Sequence, residues 1–275
     1  MTTLVNGYVS DTITVNDRGL LYGDGVFETM LVVDGQVPFW SYHQRRLLHA
    51  CDQLRIPFDD IDTVYQQIQS LVSKTTQLIV KVIVTRGEAA RGYAIPKHSQ
   101  ATVIITTSPR SMPSADCWQQ GVCVRFCDTQ LALQPQLAGL KHLNRLEQIL
   151  ARSEWDSSAF QEGLMCTAEG EIIEATMHNV FFIKHGKLIT PSLSQAGVSG
   201  IMRQWIIDYA QQNQLDIEIG SVKREQVDSM DELFLCNSVN GIWPVRQLEQ
   251  QMFSVGPLTC QLRDHIAELL PYKLS

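Results

Sequence analysis

The sequence has no long apolar run, no excess of positive charge and no paired cysteines, and each absence excludes a class of protein. No stretch approaches the ~18 apolar residues that a membrane-spanning helix needs. The net charge of −7 argues against a general nucleic-acid binder, which needs a basic face. The N-terminus lacks a basic region followed by an apolar core, so we expect no signal peptide. We therefore expect a cytoplasmic protein of ordinary globular composition, with 44% hydrophobic side chains.

The cysteines and glycines do not form the motifs of common metal and phosphate sites. The seven cysteines are scattered and odd in number, so we expect reduced thiols and not a disulfide framework. Cys123 and Cys127 stand four residues apart, but no second Cys or His pair completes a zinc site. Neither the dinucleotide-binding glycine pattern nor the Walker lysine pattern occurs. We therefore expect no bound metal and no phosphate loop of these two kinds.

Hydrophobic periodicity predicts helices and strands in two domains. The first part contains strand patterns at 4–9, 29–33, 36–40, 78–84 and 101–106, and helix patterns at 42–54 and 61–72. The second part contains strand patterns at 122–126, 163–167 and 233–238, and helix patterns that begin near 141–143 and within 196–203 and that span 258–270. A stretch rich in proline and serine at 108–114 separates the two parts. We therefore predict an N-terminal domain at 1–108, a linker at 109–118 and a C-terminal domain at 119–275.

Lys141 follows a glycine closely and stands where a helical pattern begins. Leu143, Leu146 and Leu150 are spaced by three and four residues, which predicts one apolar helix face. A lysine at such a junction can be held rigidly and shielded from water, and shielding lowers the pKa of an amine. Its amine is then a usable nucleophile and base. The alternative is a solvated lysine at a helix entrance, and this stretch alone favours that alternative.

Three further features are candidates for binding an anion or a cationic ring. One of the adjacent Arg45 and Arg46 could point inward from an amphipathic helix and hold an anion, or both could lie along the surface. Glu174 lies between two apolar runs, so its carboxylate needs a partner such as a protonated ring nitrogen or an ordinary salt bridge. Gly200 precedes a helical pattern, which suits either a phosphate seat or a turn capped by Ser199.

Taken together and in their order, these features resemble the fold-type IV pyridoxal-phosphate enzymes, which include D-amino acid and branched-chain aminotransferases and aminodeoxychorismate lyase. The resemblance covers essentially the whole chain. It implies an α+β, two-domain D-amino acid aminotransferase-like fold, with a smaller N-terminal α/β domain, a larger C-terminal mixed-sheet, barrel-like domain, and a homodimer. The matching segments are 17–18, 22–28, 43–47, 85–87, Lys141, 174–181, 200–203, 237–238 and 244–245.

The resemblance also implies a role for each matching residue around pyridoxal 5'-phosphate. By this likeness Lys141 forms the Schiff base with the cofactor. Glu174 pairs with the pyridine nitrogen and keeps it protonated, which makes the ring a strong electron sink. Arg46, preferred over Arg45 because of the family's Arg-Leu pair, binds the phosphate. Backbone N–H groups of two segments help Arg46, and these segments are Gly200-Ile201 and Asn237-Ser238.

Within the family, the segment at 138–148 looks more like 4-amino-4-deoxychorismate lyase than like either aminotransferase. In the D-amino acid aminotransferases, a tyrosine and an Arg-x-His hold the substrate carboxylate, and the matching positions here are Phe27, Arg91 and Tyr93. The lyase reaction releases 4-aminobenzoate and pyruvate. Its substrate carries two carboxylates, for which Arg91 and Arg86 are our candidates.

Thr29 would place a hydroxyl near the reacting atoms, and the alternative is an ordinary strand residue. Two other functions stay open at this point. One is a D-amino acid or branched-chain aminotransferase, and the other is a non-catalytic protein that binds the cofactor on the same fold.

Overall fold

A computed structural model describes residues 2–72, 77–156 and 159–270 of the chain. The chain divides into two compact units, and each is described by itself. Unit 1 comprises Met1–Ser111 and Leu140–Asn144, and unit 2 comprises Met112–Gly139 and Arg145–Ser275. The boundary between Ser111 and Met112 lies within the stretch 109–118, which the sequence predicts as a linker. The short segment that carries Lys141 groups with unit 1, whereas the sequence-based division places it in the C-terminal domain.

Unit 1 contains an antiparallel sheet of five strands, in the order β2-β1-β5-β4-β3. Its strands are β1 (Thr3–Val5), β2 (Tyr8–Val9), β3 (Gly25–Val33), β4 (Gln77–Thr85) and β5 (Thr102–Pro109). Its helices are α1 (Arg18–Tyr22), α2 (Trp40–Gln53) and α3 (Ile61–Val72). The bounds of α3 are those that its apolar periodicity predicts.

The prediction of a strand at 36–40 is wrong. Only Gln36 forms an isolated bridge, to Val33, and the chain then turns through Phe39 in left-handed backbone at φ 59°. Helix α2 begins at the next residue, Trp40. It packs on β3 and buries a face that includes Leu47 and Cys51. The strand predicted at 4–9 is instead a hairpin of two short strands.

Unit 2 is organised around a mixed sheet with helices. Its strands are β6 (Val122–Phe126), β7 (Glu162–Cys166), β8 (Ile172–Ala175), β9 (Asn179–Lys184), β10 (Lys187–Pro191), β11 (Ile217–Gly220), β12 (Glu232–Asn237), β13 (Gly241–Leu248) and β14 (Gln251–Met252). Its helices are α4 (Asp116–Gln119), α5 (Leu146–Arg152), α6 (Ile201–Gln212) and α7 (Pro257–Leu269), with a 3₁₀ turn at Arg224–Ser229.

The sheet of unit 2 follows the order β11-β10-β9-β12-β13-β6-β7-β8, and β14 pairs with β13. The pairs β10–β11, β6–β13 and β6–β7 are parallel and the others are antiparallel. The sheet curls, since β8 at one end of this order also approaches β9. Apolar side chains on its inner face form a core that includes Phe182, Leu233, Leu235 and Trp243. The α+β fold and the mixed sheet predicted for the C-terminal part are therefore confirmed.

The helix after Lys141 begins later than its sequence pattern predicts. Helix α5 starts at Leu146, so Lys141 and Leu143 lie outside it. Leu146 and Leu150 are 72% and 58% exposed, so the predicted apolar face is not covered within the chain. Among the described residues, no helix is long and apolar enough to cross a membrane.

Candidate active site

Lys141 lies on a short segment that pairs with the edge strand β3 of unit 1. The N–H of Phe27 donates to the carbonyl oxygen of Lys141 at 2.9 Å, and the N–H of Leu143 donates to the carbonyl oxygen of Gly25 at 2.9 Å. His142 stands opposite Val26 in an antiparallel bridge. Backbone hydrogen bonds of this kind restrict the φ and ψ angles of the segment. The backbone of Lys141 is therefore held by a sheet, not by a helix entrance.

Gly25 is required for this close pairing. A Cβ at this position would lie 2.7 Å from the carbonyl oxygen of Val84 and 2.8 Å from a methyl group of Leu143. Any larger residue would force either β4 or the Lys141 segment to move. The absence of a side chain at Gly25 therefore makes room for the lysine segment.

The amine of Lys141 lies over an aromatic ring on β3. Its Nζ is 4.4 Å from the centroid of the Phe27 ring, and the side chain is half-buried. Thr29 is two residues further along β3, so its side chain is on the same face of the sheet as Phe27. The ring contributes apolar shielding on one side of the amine, as well as a cation–π contact while the amine is charged.

A second lysine, Lys81, shares this face and was missed by the sequence analysis. It stands opposite Thr29 in the β3–β4 pairing, and its Nζ is 5.0 Å from the centroid of the Phe27 ring. Its side chain is exposed. The signal in the sequence was a single charge in the otherwise apolar run of β4. The sheet therefore presents two ammonium groups and a hydroxyl around one aromatic ring.

The two adjacent arginines of α2 have different environments. Arg46 points inward, and its Nε and Nη2 each donate at 2.6 Å to the carboxylate of Glu28. Arg45 is exposed and its guanidinium lies 4.9 Å from the centroid of the Tyr42 ring. The inward orientation expected for one of the two arginines is thus found at Arg46. Its contact with a phosphate stays a prediction.

Glu28 is buried between Arg46 and His43, whose Nδ1 lies 2.6 Å from its carboxylate. Burial alone would raise the pKa of Glu28, but the charge of Arg46, with the contributions of His43, lowers it to about 2. Burial lowers the pKa of His43, so we assign a neutral imidazole that donates its Nδ1–H to Glu28. The pair Glu28–Arg46 therefore stays ionised at neutral pH.

Arg86 does not have the environment expected of a substrate ligand. It is buried, and its Nε and Nη2 donate to Asp24 at 2.7 and 2.9 Å. Its Nη1 and Nη2 also donate to the carbonyl oxygens of Arg55 and Leu54. Burial would raise the pKa of Asp24, but hydrogen bonds and charges from Arg86 and Arg18 outweigh this effect and lower it. These contacts do not support the prediction that Arg86 binds a substrate carboxylate. They show that its guanidinium links Asp24 to the backbone after α2 and so stabilises unit 1.

Arg91, the other candidate for a substrate carboxylate, lies on the loop between β4 and β5 and is exposed. The next residue, Gly92, has φ 111°, and a Cβ there would meet no atom within 4 Å. The substrate contact of Arg91 therefore stays a prediction.

In unit 2, Glu174 is buried at the end of β8 and faces the loop before α6. Its Oε2 accepts the backbone N–H of Val198 at 2.8 Å. The amide of Asn179 donates to the carbonyl oxygen of Val198 at 2.9 Å. Gly200 lies against Asn179 Oδ1 so closely that a Cβ would overlap it. The loop is therefore fixed from both sides by side chains of β8 and β9.

The N-terminus of α6 follows this loop directly. Gly200 occupies the N-cap position in extended backbone, and it has no side chain to cap the helix. Ile201 is the first residue of the helix. The backbone N–H groups of a first helical turn have no partner within the helix, and the helix dipole favours an anion there. This arrangement suits the predicted phosphate seat, which itself stays a prediction.

The second predicted phosphate segment, Asn237-Ser238, lies in the turn between β12 and β13. Asn237 Oδ1 accepts the backbone N–H groups of Val239 and Asn240 at 3.0 and 2.7 Å. Its Nδ2 donates to the carbonyl oxygen of Met177, on the turn between β8 and β9. The side chain of Asn237 thus shapes the turn, so a cofactor contact here would come from the backbone or from Ser238.

A buried Glu162–His178 pair supports the turn between β8 and β9. No sequence pattern indicated this pair. The Glu162 carboxylate lies 2.7 Å from His178 Nδ1 and accepts a hydrogen bond from the hydroxyl of Thr176. It also accepts the N–H of Met177 at 3.2 Å. These contacts outweigh the desolvation of Glu162 and lower its pKa. The turn that separates Glu174 from Asn179 is therefore organised around one charged carboxylate.

The structure thus divides the predicted site residues between the two units. Unit 1 holds Lys141, Thr29, Arg46, Arg86 and Arg91. Unit 2 holds Glu174, Gly200, Ile201, Asn237 and Ser238.

Comparison with known proteins identifies relatives over nearly the whole chain. A family profile described as amino-transferase class IV matches residues 25–248. The chain is 34% identical over 268 residues to an aminodeoxychorismate lyase from Vibrio harveyi, covering 95% of this chain and 98% of the relative. It is 26% identical over 280 residues to a D-alanine aminotransferase from Listeria monocytogenes, covering 98% of this chain and 96% of the relative.

A solved structure gives a similar result. The crystal structure of 4-amino-4-deoxychorismate lyase from Pseudomonas aeruginosa superposes with a TM-score of 0.93 and is 40% identical. The match covers 97% of this chain and 98% of that chain.

Proposed function

Because the chain belongs to the class IV aminotransferase family, we propose that it is a pyridoxal-phosphate-dependent lyase. The reaction converts 4-amino-4-deoxychorismate into 4-aminobenzoate, a folate precursor, and pyruvate. The observation that carries this function is the full-length similarity to two lyases, at 34% and 40% identity. The aminotransferase match is weaker, at 26%. The local geometry agrees, because the backbone of Lys141 is hydrogen-bonded to a sheet edge and its amine lies over the Phe27 ring.

The residues present fit the chemistry of this cofactor. Lys141 offers the amine for covalent attachment. For the phosphate, Arg46 offers an inward-facing guanidinium, and the start of α6 offers backbone N–H donors that no side chain caps. Glu174 offers a buried carboxylate for the pyridine nitrogen. Bound pyridoxal phosphate supplies an electron sink for the carbon from which a proton is removed. These assignments are part of the proposal.

The chain's own groups then move protons. With the cofactor bound, the amine of Lys141 would remove the proton from ring carbon 4 of the substrate. The carbon–oxygen bond to the enolpyruvyl group breaks, its methylene carbon gains a proton, and pyruvate leaves as the ring becomes aromatic. We assign Lys141 as the base and Thr29 as the neighbouring hydroxyl that supports the proton transfer. The protein chiefly orients groups, because aromatisation supplies much of the driving force.

The two substrate carboxylates need cationic partners, and we propose Arg91 together with Lys81. Lys81 lies on the same sheet face as Thr29 and contacts the same ring as Lys141. It replaces Arg86 in the predicted pair, because Arg86 is engaged with Asp24. We propose that backbone groups of two segments, Gly200-Ile201 and Asn237-Ser238, make the remaining cofactor contacts.

The test is to supply 4-amino-4-deoxychorismate to the purified protein with pyridoxal phosphate and measure pyruvate and 4-aminobenzoate in equal amounts. Borohydride reduction followed by peptide mass spectrometry should place the cofactor on Lys141. Amino transfer that depends on a keto acid, with no pyruvate, would instead identify an aminotransferase. Cofactor binding with neither reaction would identify a non-catalytic binding protein.

Arg46 and Arg45 should differ in their effect on cofactor affinity. We expect Arg46→Ala to raise the dissociation constant of pyridoxal phosphate about 30-fold, or about 2 kcal/mol, because a charge-assisted phosphate contact is lost. Arg45→Ala removes an exposed guanidinium from the same helix and should change it less than about twofold. The measurement is a titration followed by absorbance, with Arg46→Lys included because it keeps the charge next to Glu28. Equal effects of the two alanine variants would show that the wrong arginine was chosen.

We also propose a homodimer. The exposed Leu146, Ile149 and Leu150 fall on one face of α5, with exposures of 72%, 62% and 58%. An apolar face of this kind is typical of an interface. We expect light scattering to give the mass of two chains for the wild type and of one chain for Leu146→Glu/Leu150→Glu. Leu269→Glu on α7 is the control, and a wild-type monomer would contradict the proposal.

We propose that the protein acts in the cytoplasm. All seven cysteines are free thiols. Burial raises the pKa of Cys51 and Cys127 to about 12, so these thiols stay protonated. Reduced cysteines are expected in a reducing compartment.

A further inference from the structure

The exposed loop that carries Arg91 is held at one point by a buried arginine, Arg18. The Nη1 of Arg18 donates to the carbonyl oxygen of Gly92 at 2.9 Å, and its Nη2 donates to that of Tyr93 at 3.5 Å. These two carbonyl groups directly follow Arg91 in the chain. A guanidinium fork that spans consecutive carbonyl groups restricts both the position and the direction of the loop.

Tyr22 contacts the same two residues of the loop. Its hydroxyl oxygen accepts the backbone N–H of Gly92 at 3.3 Å. Its ring packs edge-on against that of Tyr93, with centroids 5.5 Å apart and an interplanar angle of 61°. The guanidinium of Arg18 also lies 5.0 Å from the centroid of the Tyr22 ring. Both ends of α1 therefore contribute to one clamp on the loop.

The clamp is rigid because Arg18 is itself fixed. It is 4% exposed, and its Nε donates to Asp24 at 2.8 Å. Its backbone N–H donates to the carbonyl oxygen of Gly87, at the start of the loop, at 2.9 Å. Asp24 is held in turn by the fork of Arg86. The Arg86 side chain, predicted from the sequence as a substrate ligand, therefore supports the clamp by holding Asp24.

We infer that Arg18 and Tyr22 are positioning residues, which hold the loop so that Arg91 is presented to a carboxylate of the substrate. This inference rests on the proposed function, because it takes Arg91 as a substrate ligand. A clamped loop loses less conformational freedom on binding, so the clamp strengthens binding without taking part in the chemistry. Its loss should therefore raise KM and leave kcat nearly unchanged.

The experiment compares two variants of the full-length holoenzyme. Arg18→Lys keeps a charge beside Asp24 and loses the fork, and Tyr22→Phe keeps the ring and loses the hydroxyl. We expect KM to rise about tenfold in the first and about threefold in the second, with kcat within about twofold. Arg55→Lys and Tyr8→Phe, at exposed positions of unit 1, are the matched controls and should change neither constant.

A double-mutant cycle shows whether the effect passes through Arg91. Once Arg91→Ala is present, adding Tyr22→Phe or Arg18→Lys should raise KM by less than about 1.5-fold, because the clamp then presents no ligand. Multiplicative effects in the double variants would overturn the inference. Tyr22→Phe is the milder variant and decides the outcome if Arg18→Lys does not fold.

Hydrogen exchange provides a readout that is independent of turnover. We expect the amide of Gly92 to exchange about tenfold faster in Tyr22→Phe, while amides in β3 and β4 keep their protection. An unchanged rate at Gly92 would overturn the clamp even if KM rises. Absence of pyruvate from the wild type would refute the lyase function alone, since the exchange measurement does not depend on it.

Discussion

Lys141→Arg should reduce the rate of pyruvate release by roughly 10³-fold or more, the largest effect that we expect from a single substitution. Arginine keeps the positive charge over the Phe27 ring, where Lys141 Nζ lies 4.4 Å from the centroid. A guanidinium cannot be deprotonated in a protein, so it serves neither as the base nor as the amine for covalent attachment. The substitution therefore separates the chemistry of the amine from its charge. Single-turnover assays of 4-aminobenzoate formation measure the effect.

Two controls belong to this experiment. Lys223→Arg makes the same change at an exposed position of unit 2 and should leave turnover unchanged. Lys81→Arg keeps a cation opposite Thr29 and should lower kcat/KM only about threefold, because we assign Lys81 to binding. A Lys141→Arg variant that retains more than a tenth of the wild-type rate would refute the assignment of Lys141 as the base.

Glu28→Ala should lower the free energy of unfolding by about 3–5 kcal/mol, because it leaves the charge of Arg46, whose side chain is only 11% exposed, without its carboxylate partner. The side chain of Glu28 is 1% exposed, and its carboxylate accepts hydrogen bonds from Nε and Nη2 of Arg46, each at 2.6 Å. Urea unfolding followed by circular dichroism measures the change. Glu88→Ala, at an exposed carboxylate of unit 1, should cost less than about 0.5 kcal/mol. A comparable loss in both variants would contradict the proposed importance of the buried pair.

The stability contributed by Glu28 should also depend on pH in a defined window. Its pKa in the folded protein is about 2, below its ordinary value of 4.5. A lowered folded-state pKa contributes stability that is present above pH 4.5 and is lost as pH falls toward 2. The shift corresponds to about 3 kcal/mol at most. The difference in the free energy of unfolding between wild type and Glu28→Gln should therefore shrink as pH falls from 4.5 toward 2. A constant difference would show that ionised Glu28 does not contribute this stability.

Local patterns predicted the elements whose stability depends on one apolar face. Helix α3 has the predicted bounds because its apolar residues recur at helical spacing over twelve residues. Strand β6 also has its predicted bounds, Val122–Phe126. The error at 36–40 has a local cause, since the left-handed backbone at Phe39 ends the turn and starts α2 one residue later.

Contacts between residues that are distant in the sequence explain the features that local patterns did not predict. Leu143 has helical spacing to Leu146, but its N–H is used by Gly25, more than a hundred residues earlier. Arg86 could be read as a free cation on a loop because its partner, Asp24, lies 62 residues earlier in the sequence. Lys81 was missed because a single charge in a strand does not show which groups face it. The roles that we propose for Lys141 and Glu174 come from the resemblance to a family, because periodicity alone left them open.

The pairing of the Lys141 segment with β3 limits how this protein can be divided into pieces. The chain passes between the two units at Ser111/Met112, at Gly139/Leu140 and at Asn144/Arg145, so neither unit is one continuous stretch. A fragment that ends at Ser111 would lack the Lys141 segment that pairs with the edge of β3, and it would leave an open sheet edge prone to aggregation. Neither unit can therefore be exchanged as a simple cassette in a chimera. Such a chimera would have to carry its own lysine segment with the N-terminal unit.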